Sequence, residues 1–475
     1  MINSVIKLLL IVLILFTPIA FGSAELWAFS IMELGILLII ILWALQTGIV
    51  RLLASEKSFN SAIYNPQSAI PMVLLALFLL LILFQMISLP SGILKILSPK
   101  TFALRSTLSL EPSASSFPLS FFPFLTRIEF FKWLTLVALF IFLLGWKPLG
   151  QSDRTKKQLL IAVMTVGVLE SLYGMFEFFS GHRHILHVEA EALVSSVMGT
   201  FINRNYFAGY LLMVIPLSVG FLFSREAART GRFMGWRHWL SSLDGKTLLI
   251  GFGVVVMILG LLFSASRMGI LSLLLSFSLI SLFFRSPRKE RTFSRGSILI
   301  LGLAILWAAW IGLDAVLSRF FTASEDITSR SMIWLNTFQI FKDFPLFGSG
   351  LGTFVQVFPM YRSFHITGLV THSENDFLQL LSEVGALGTG LLAILFFFLA
   401  WKVFSGIRAL SSGEPVRYIA LGGGVGILAL MFHSLVERNI QVPANAFLYT
   451  FIFALILKIS MAETECKRDK LNKRH

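Results

Sequence analysis

Twelve blocks of mainly apolar residues succeed one another along the chain, each roughly the 17–25 residues that carry a helix across a bilayer core. They are Val5–Phe21, Leu26–Val50, Ile70–Leu89, Glu129–Leu149, Gln158–Phe179, Tyr206–Phe223, Thr247–Ala265, Met268–Phe284, Ser297–Leu313, Ala386–Trp401, Tyr418–Val436 and Ala446–Met461. The pattern predicts an all-α, polytopic membrane protein of about 12 transmembrane helices. Lys7 ahead of the first block and Phe21-Gly22-Ser23-Ala24 behind it also fit a cleaved leader. A second span four residues later favours an uncleaved helix.

Two segments between the blocks are long. Pro90–Ile128 is rich in Ser, Pro and Phe and reads as an irregular flap lying on the membrane face. Asp314–Gly385 holds most of the polar chemistry, with helix-like stretches at Arg330–Phe341 and Ser373–Val384 joined by the run Gly348-Ser349-Gly350-Leu351-Gly352. The expected organisation is nine helices in 1–313, a large loop in 314–385, and three helices with a basic tail in 386–475.

Composition agrees. Of 475 residues, 56% are hydrophobic and 13% charged, about half the charge of a globular chain, which excludes an ordinary soluble enzyme. The net charge of +14 raises the question of nucleic acid, but the positions of the charges answer it. With the N-terminus inside, 26 of the 39 Lys and Arg fall in cytoplasmic segments, as the positive-inside rule requires. The charge is a topology signal, both termini are expected in the cytoplasm, and no nucleic-acid partner is expected. The single cysteine, Cys466, excludes an intrachain disulfide.

Four polar constellations stand out at the predicted outer ends of the spans. Asn203, Arg204 and Asn205, in Gly199–Asn205, offer donors and acceptors at headgroup level. They also suit plain interfacial capping and snorkelling. Arg267 lies in a short turn between two spans with no acidic residue close along the chain. A charge at that depth usually faces a cavity, and a guanidinium fork matches phosphate oxygens; the bland reading is a headgroup anchor. Arg330 opens a helix that carries Trp334 on the same face. In Thr371–Gly385, Phe377, Leu380, Leu381 and Val384 define an amphipathic helix. Ser373 and Asp376 resemble a capping box at its start. His372 then stands beside a helix N-terminus that suits phosphate, and an imidazole there can act as a general base.

Other patterns carry less. Gly348–Gly352 lacks the Lys-Ser/Thr of a phosphate loop and reads as a turn. Gly422-Gly423-Gly424-Val425-Gly426 reads as close helix packing. His182, His184 and His187 fit no strong ligand template, and no Asp-x-Asp is present, so neither a metal nor a cofactor is expected.

Taken in order, these segments resemble the O-antigen ligase/polymerase superfamily of bacterial envelope proteins. The resemblance is most specific in Arg330…Trp334, Asp343–Phe354, Tyr361-Arg362 and His372 through Gly388. Gly199–Asn205, Ser266-Arg267 and His433…Val442-Pro443-Ala444-Asn445 are similar to the family's flanking blocks. It implies a fold like that of class C glycosyltransferases, in the bacterial inner membrane, with a large periplasmic loop over a lipid-facing cavity. It also implies transfer of a glycan from undecaprenyl pyrophosphate to an acceptor hydroxyl, on lipid A-core or on a growing glycan, among membrane lipids.

On that resemblance His372, Glu374, Arg267 and Arg330 are the catalytic candidates, and Arg204, Asn203, Asn205, Arg362, Asn375 and His433 bind pyrophosphate or glycan. Many family members carry His where this chain has Glu374, so the base is either His372 or Glu374. Two rivals remain at this point, a protein O-oligosaccharyltransferase of the same superfamily and a non-catalytic polysaccharide or lipid transporter. Glu170 and Glu177, within one span, are the main feature favouring a transporter.

Overall fold

The computed structural model describes residues 2–53, 66–108, 115–189, 196–230, 244–283, 302, 323–365, 368–411 and 414–472. Nine helices among them are long and apolar enough to cross a membrane. They are α1 (Ile2–Ile19), α2 (Leu26–Leu53), α6 (Pro123–Gly145), α8 (Asp153–Ser180), α9 (Arg204–Thr230), α10 (Gly245–Phe263), α14 (Asp376–Ala409), α15 (Pro415–His433) and α16 (Pro443–Asn472). Two shorter apolar helices, α3 (Pro66–Met86) and α11 (Arg267–Phe283), match two further expected spans. The ninth expected span, Ser297–Leu313, lies outside the described residues apart from 302. The chain is an all-α polytopic membrane protein.

The bundle is organised around α9, whose apolar window is buried on every side, as expected of a helix that is hydrophobic all round. Glycines let α15 approach it to backbone contact. A Cβ on Gly220 would stand 2.3 Å from the Tyr418 carbonyl oxygen, and one on Gly422 would stand 2.2 Å from that of Pro216. The Gly422–Gly426 run is therefore a packing seam, as its sequence suggested.

Thr200 donates to the Pro18 carbonyl, Val197 N–H to the Phe263 carbonyl and Asp376 N–H to the Ser434 carbonyl, so the ends of α1, α10 and α15 lie at the same face as the starts of α9 and α14. At the other face, beside the short α7 (Lys147–Gln151), Asn3 accepts from the Trp146 indole at 3.0 Å, Lys7 donates to Gln158 at 2.8 Å, and Lys458 donates to the Trp146 carbonyl at 2.5 Å.

The flap is not irregular. Strands β1 (Ser88–Pro90) and β2 (Ser116–Pro118) pair antiparallel and flank helices α4 (Ser91–Leu97) and α5 (Pro99–Leu108). Arg105 donates to the Ser120 and Phe121 carbonyls at 2.7 Å each, closing the flap on itself, and Ser120 N–H donates to the Gln85 carbonyl at the end of α3. Over it packs the large loop. Helix α12 (Ala323–Asp343) leads into the short α13 (Phe354–Val357), and Phe344, Phe354 and Phe358 bury against Phe121.

The glycine run between these helices is a turn with positive φ at Gly348, Gly350 and Gly352. Buried Gln85 donates to the Phe347 and Glu383 carbonyls and accepts from Leu351 N–H. Glu383 accepts from the N–H groups of Gly352 and Phe354. Helix α14 breaks at Gly385 (φ 66°, ψ −171°), so the amphipathic stretch before it and the apolar span after it are separate rods.

Candidate functional site

The turn after α15, Ser434–Val442, is where the separate constellations come together. Arg330 donates to the Val436 carbonyl at 2.6 Å and pairs with the Glu437 carboxylate at 2.5 Å. Burial pushes the Glu437 carboxyl above the ordinary carboxylate range, while Arg330 and a hydrogen bond from Asn205 pull it back. Glu374 lies close enough to Glu437 to add like-charge repulsion.

Arg438 bonds His372 Nε2 and sits 5.7 Å over the Tyr206 ring. A guanidinium has donors only, so Nε2 must present its lone pair to Arg438. Burial, and then the Arg438 charge, push the His372 imidazole down to about 2. It is neutral at physiological pH, with one ring nitrogen already engaged.

Behind this pair, His433 is fully buried, with Ser266 Oγ 3.4 Å from Nε2 and the Asn439 amide nitrogen 3.2 Å from Nδ1. An amide nitrogen only donates, so Nδ1 accepts and Nε2–H points at Ser266. That contact fixes the residue immediately before Arg267, which is half-buried at the start of α11. His433 thus positions the turn rather than standing free to bind glycan.

The start of α14 differs from the sequence expectation. Asn375, not Ser373, is the N-cap, accepting from Leu378 N–H at 2.9 Å. Ser373 Oγ instead donates to the Asn375 carbonyl, and its N–H donates to Gln379. Asp376 faces across to the hub and accepts from the N–H groups of Asn439 and Ile440, 2.8 Å each. Both Asn375 and Asp376 are thus engaged in holding the fold. Glu374, between them and His372, has a φ of +53°, a conformation that costs a non-glycine residue energy and tends to persist at functional sites.

On the α9 side, Asn203 Oδ1 accepts from Asn205 N–H at 2.8 Å, and Arg204 is half-buried at the helix start. Thr200, just upstream, binds both oxygens of Glu170, and Glu177 accepts from the hairpin that follows α8. Both in-span carboxylates therefore have local structural partners, which removes the feature that favoured a transporter. Arg362 is exposed, and no described contact joins it to the hub.

Sequence reasoning missed Glu437, Arg438 and Asn439, and read Asp376 only as the acid of a capping box. The signal was three consecutive polar residues between Val436 and Ile440, directly after a span.

An apolar groove of about 540 Å³ opens beside this cluster. Its walls come mainly from α6, α14, α15 and α16 and include Trp133, Phe377, Leu392, Phe396 and Phe453, with Lys132, Asp376 and Gln441 among the polar lining. Asp376 belongs to both regions and so joins the groove to the cluster of arginines and carboxylates. Some polar atoms of the cluster, among them Arg438 Nε and Asn445 Oδ1, are buried with no partner among the described residues. Such atoms are costly unless a ligand completes them.

Residues 252–393 match the family model described as O-antigen ligase. That match supports the O-antigen ligase/polymerase superfamily. No curated protein matches it. The O-antigen ligase match spans Arg267, Arg330, Arg362, His372 and Glu374, and stops ahead of the hub turn that gathers most of them. The match supports, in general terms, an enzyme of O-antigen ligase/polymerase type, and the apolar helices place the chain in a membrane.

Proposed function

We propose that the protein transfers an undecaprenyl-pyrophosphate-linked glycan to an acceptor hydroxyl at the periplasmic face of the inner membrane, without a metal ion. The observation that carries this reading is the junction at Asp376, where an apolar groove suited to a polyprenyl tail meets a cluster of arginines and carboxylates suited to a pyrophosphate. Arg267, Arg330 and Arg204 are the charges we assign to the leaving group, where preorganised positive charge lowers the barrier.

In the proposed step the acceptor oxygen attacks the anomeric carbon and its proton passes to a carboxylate. The bond from that carbon to the pyrophosphate oxygen breaks, and the electron pair stays on the pyrophosphate. We assign the proton to Glu374, because the His372 nitrogen that would take it is engaged by Arg438. His372 then positions Arg438.

The acceptor is lipid A-core in a ligase and the growing glycan in a polymerase. Deletion followed by envelope-glycan gels separates them, since an uncapped core means ligase and single repeat units mean polymerase. Unchanged glycan in the deletion strain would defeat the proposal. Alkaline phosphatase fused after Thr353 should be active and fused after Arg291 inactive. Purified protein should keep transferring in excess EDTA, and loss restored by Mg²⁺ would refute metal independence.

A further inference from the structure

The end of α8 and the hairpin after it build a second cluster, apart from the arginine site. Strands β3 (His184–Ile185) and β4 (Val188–Glu189) form this hairpin. The sequence shows three histidines with no ligand spacing, but folding adds the carboxylate they lack. Glu177, buried on the last turns of α8, has Oε2 3.0 Å from His182 Nδ1 and accepts from His184 N–H at 3.0 Å. The His182 and His184 rings stack with centroids 3.9 Å apart. One ligand atom from each of Glu177, His182 and His184 lies within 4.8 Å of the other two.

We propose that Glu177, His182 and His184 bind a zinc-class divalent transition-metal ion. Two imidazoles and one carboxylate favour such an ion over the oxygen-seeking Mg²⁺ or Ca²⁺. Tetrahedral zinc with bonds near 2.0–2.1 Å holds its ligands about 3.3 Å apart. Closing the cluster therefore takes movements of about 1.5 Å or less, within reach of imidazole rotation about exposed His182. The surroundings of the ligands are already those of a metal site. His184 Nδ1 lies 2.6 Å from the His182 carbonyl, which fixes Nδ1 as the protonated nitrogen and leaves Nε2 for the ion, an arrangement typical of metal-bound histidine. Tyr173 hydrogen-bonds Glu177 and accepts from Leu186 N–H at 2.7 Å, orienting carboxylate and hairpin together. Water would supply the remaining ligand. The ion would clamp a hairpin of two-residue strands onto the end of a membrane helix.

The test uses full-length, tag-free protein in detergent, stripped with EDTA and dialysed. Titration with Zn²⁺ in a calorimeter should give one site per chain at micromolar Kd or tighter, and Co²⁺ should give the visible absorption of a tetrahedral complex. His182→Ala/His184→Ala should weaken this binding at least 100-fold, and Glu177→Gln at least tenfold, while His187→Ala leaves it unchanged. His182 is exposed, and its single replacement by Ala gives a folded control that should also lose the cobalt spectrum. Wild-type protein that binds no Zn²⁺ at 100 micromolar (about −5.5 kcal/mol) would overturn the proposal. So would undiminished binding by the double variant, which would assign the zinc to Cys466 and the tail. Neither result depends on glycan transfer, so this proposal and the transfer reading fail separately.

Discussion

Arg330 and Glu437 offer a way to separate what the hub does for folding from what it does for chemistry. Replacing Arg330 by Ala removes a hydrogen bond to Val436 and the partner of a carboxylate whose side chain is only 4% exposed. Breaking a buried pair from one side typically costs about 3–5 kcal/mol, and proton uptake by Glu437 caps the loss. Glu437→Gln should be milder, about 1 kcal/mol, because Arg330 keeps its bond to Val436 and remains 27% exposed. In Arg330→Ala/Glu437→Gln no charge is stranded, so the double variant should be more stable than Arg330→Ala alone, with a coupling energy of about 2 kcal/mol. Equilibrium unfolding in mixed SDS micelles measures these differences. Transfer from a lipid-linked donor should fall about 10²–10³-fold in Arg330→Ala and stay there in the double variant. Additive stabilities would refute the buried pair. Transfer that recovers along with stability would show that Arg330 is structural only.

Arg267→Lys keeps the charge but not the planar fork, so transfer assays should find it nearly as impaired as Arg267→Ala at normal protein levels. Glu374→Gln should cost about 10²–10⁴ in rate as loss of a general base, with His372→Asn retaining more activity; the reverse order would return the base to His372. Protonation of His372 is disfavoured in the fold, so its contribution is present above its ordinary value of 6.5 and is lost as pH falls from there toward about 2. Between pH 7 and 5 this should remove about 2 kcal/mol, measured by melting in detergent, and His372→Asn should flatten that dependence. Gly385→Ala should destabilise by about 3 kcal/mol or more, because a Cβ at φ 66° would stand 2.3 Å from the Leu346 carbonyl oxygen; a melting temperature like that of the parent chain would contradict the break in α14.

The spans were legible because lipid asks one thing of a helix, an apolar exterior over a fixed length, and that is written locally. The polar groups near the site were also visible as residues out of keeping with their surroundings. What was not legible is which of them meet. Arg330 finds its partners 106 residues later at Val436, and Asp376 finds its own 63 residues later at Asn439. The capping error has the same origin. Ser373 and Asp376 have the spacing of a capping box, but Asp376 is taken by backbone donors from another helix pair, and Asn375 fills the cap instead. The flap looked irregular because its order comes from Arg105 reaching the Ser120 and Phe121 carbonyls and from Ser120 N–H reaching the Gln85 carbonyl, which no local pattern records. Glu177 went unnoticed as a neighbour of the histidines because it belongs to a different element.

The hub turn also sets a timetable. Ribosomes add about 5–20 residues per second, so Arg330 is made roughly 5–20 seconds before the Glu437 that neutralises it. During that interval a guanidinium destined for a buried pair must rest at the membrane surface, with water or lipid phosphate as its company. The cluster closes only once α15 is in place and the turn beyond it has folded back over α9 and α14. An insertion intermediate of this protein therefore has most of its membrane helices and none of its assembled site. Any slowing of the last helix pair would lengthen the life of a chain that spans the bilayer, has yet to join Arg330 to Glu437, and transfers nothing.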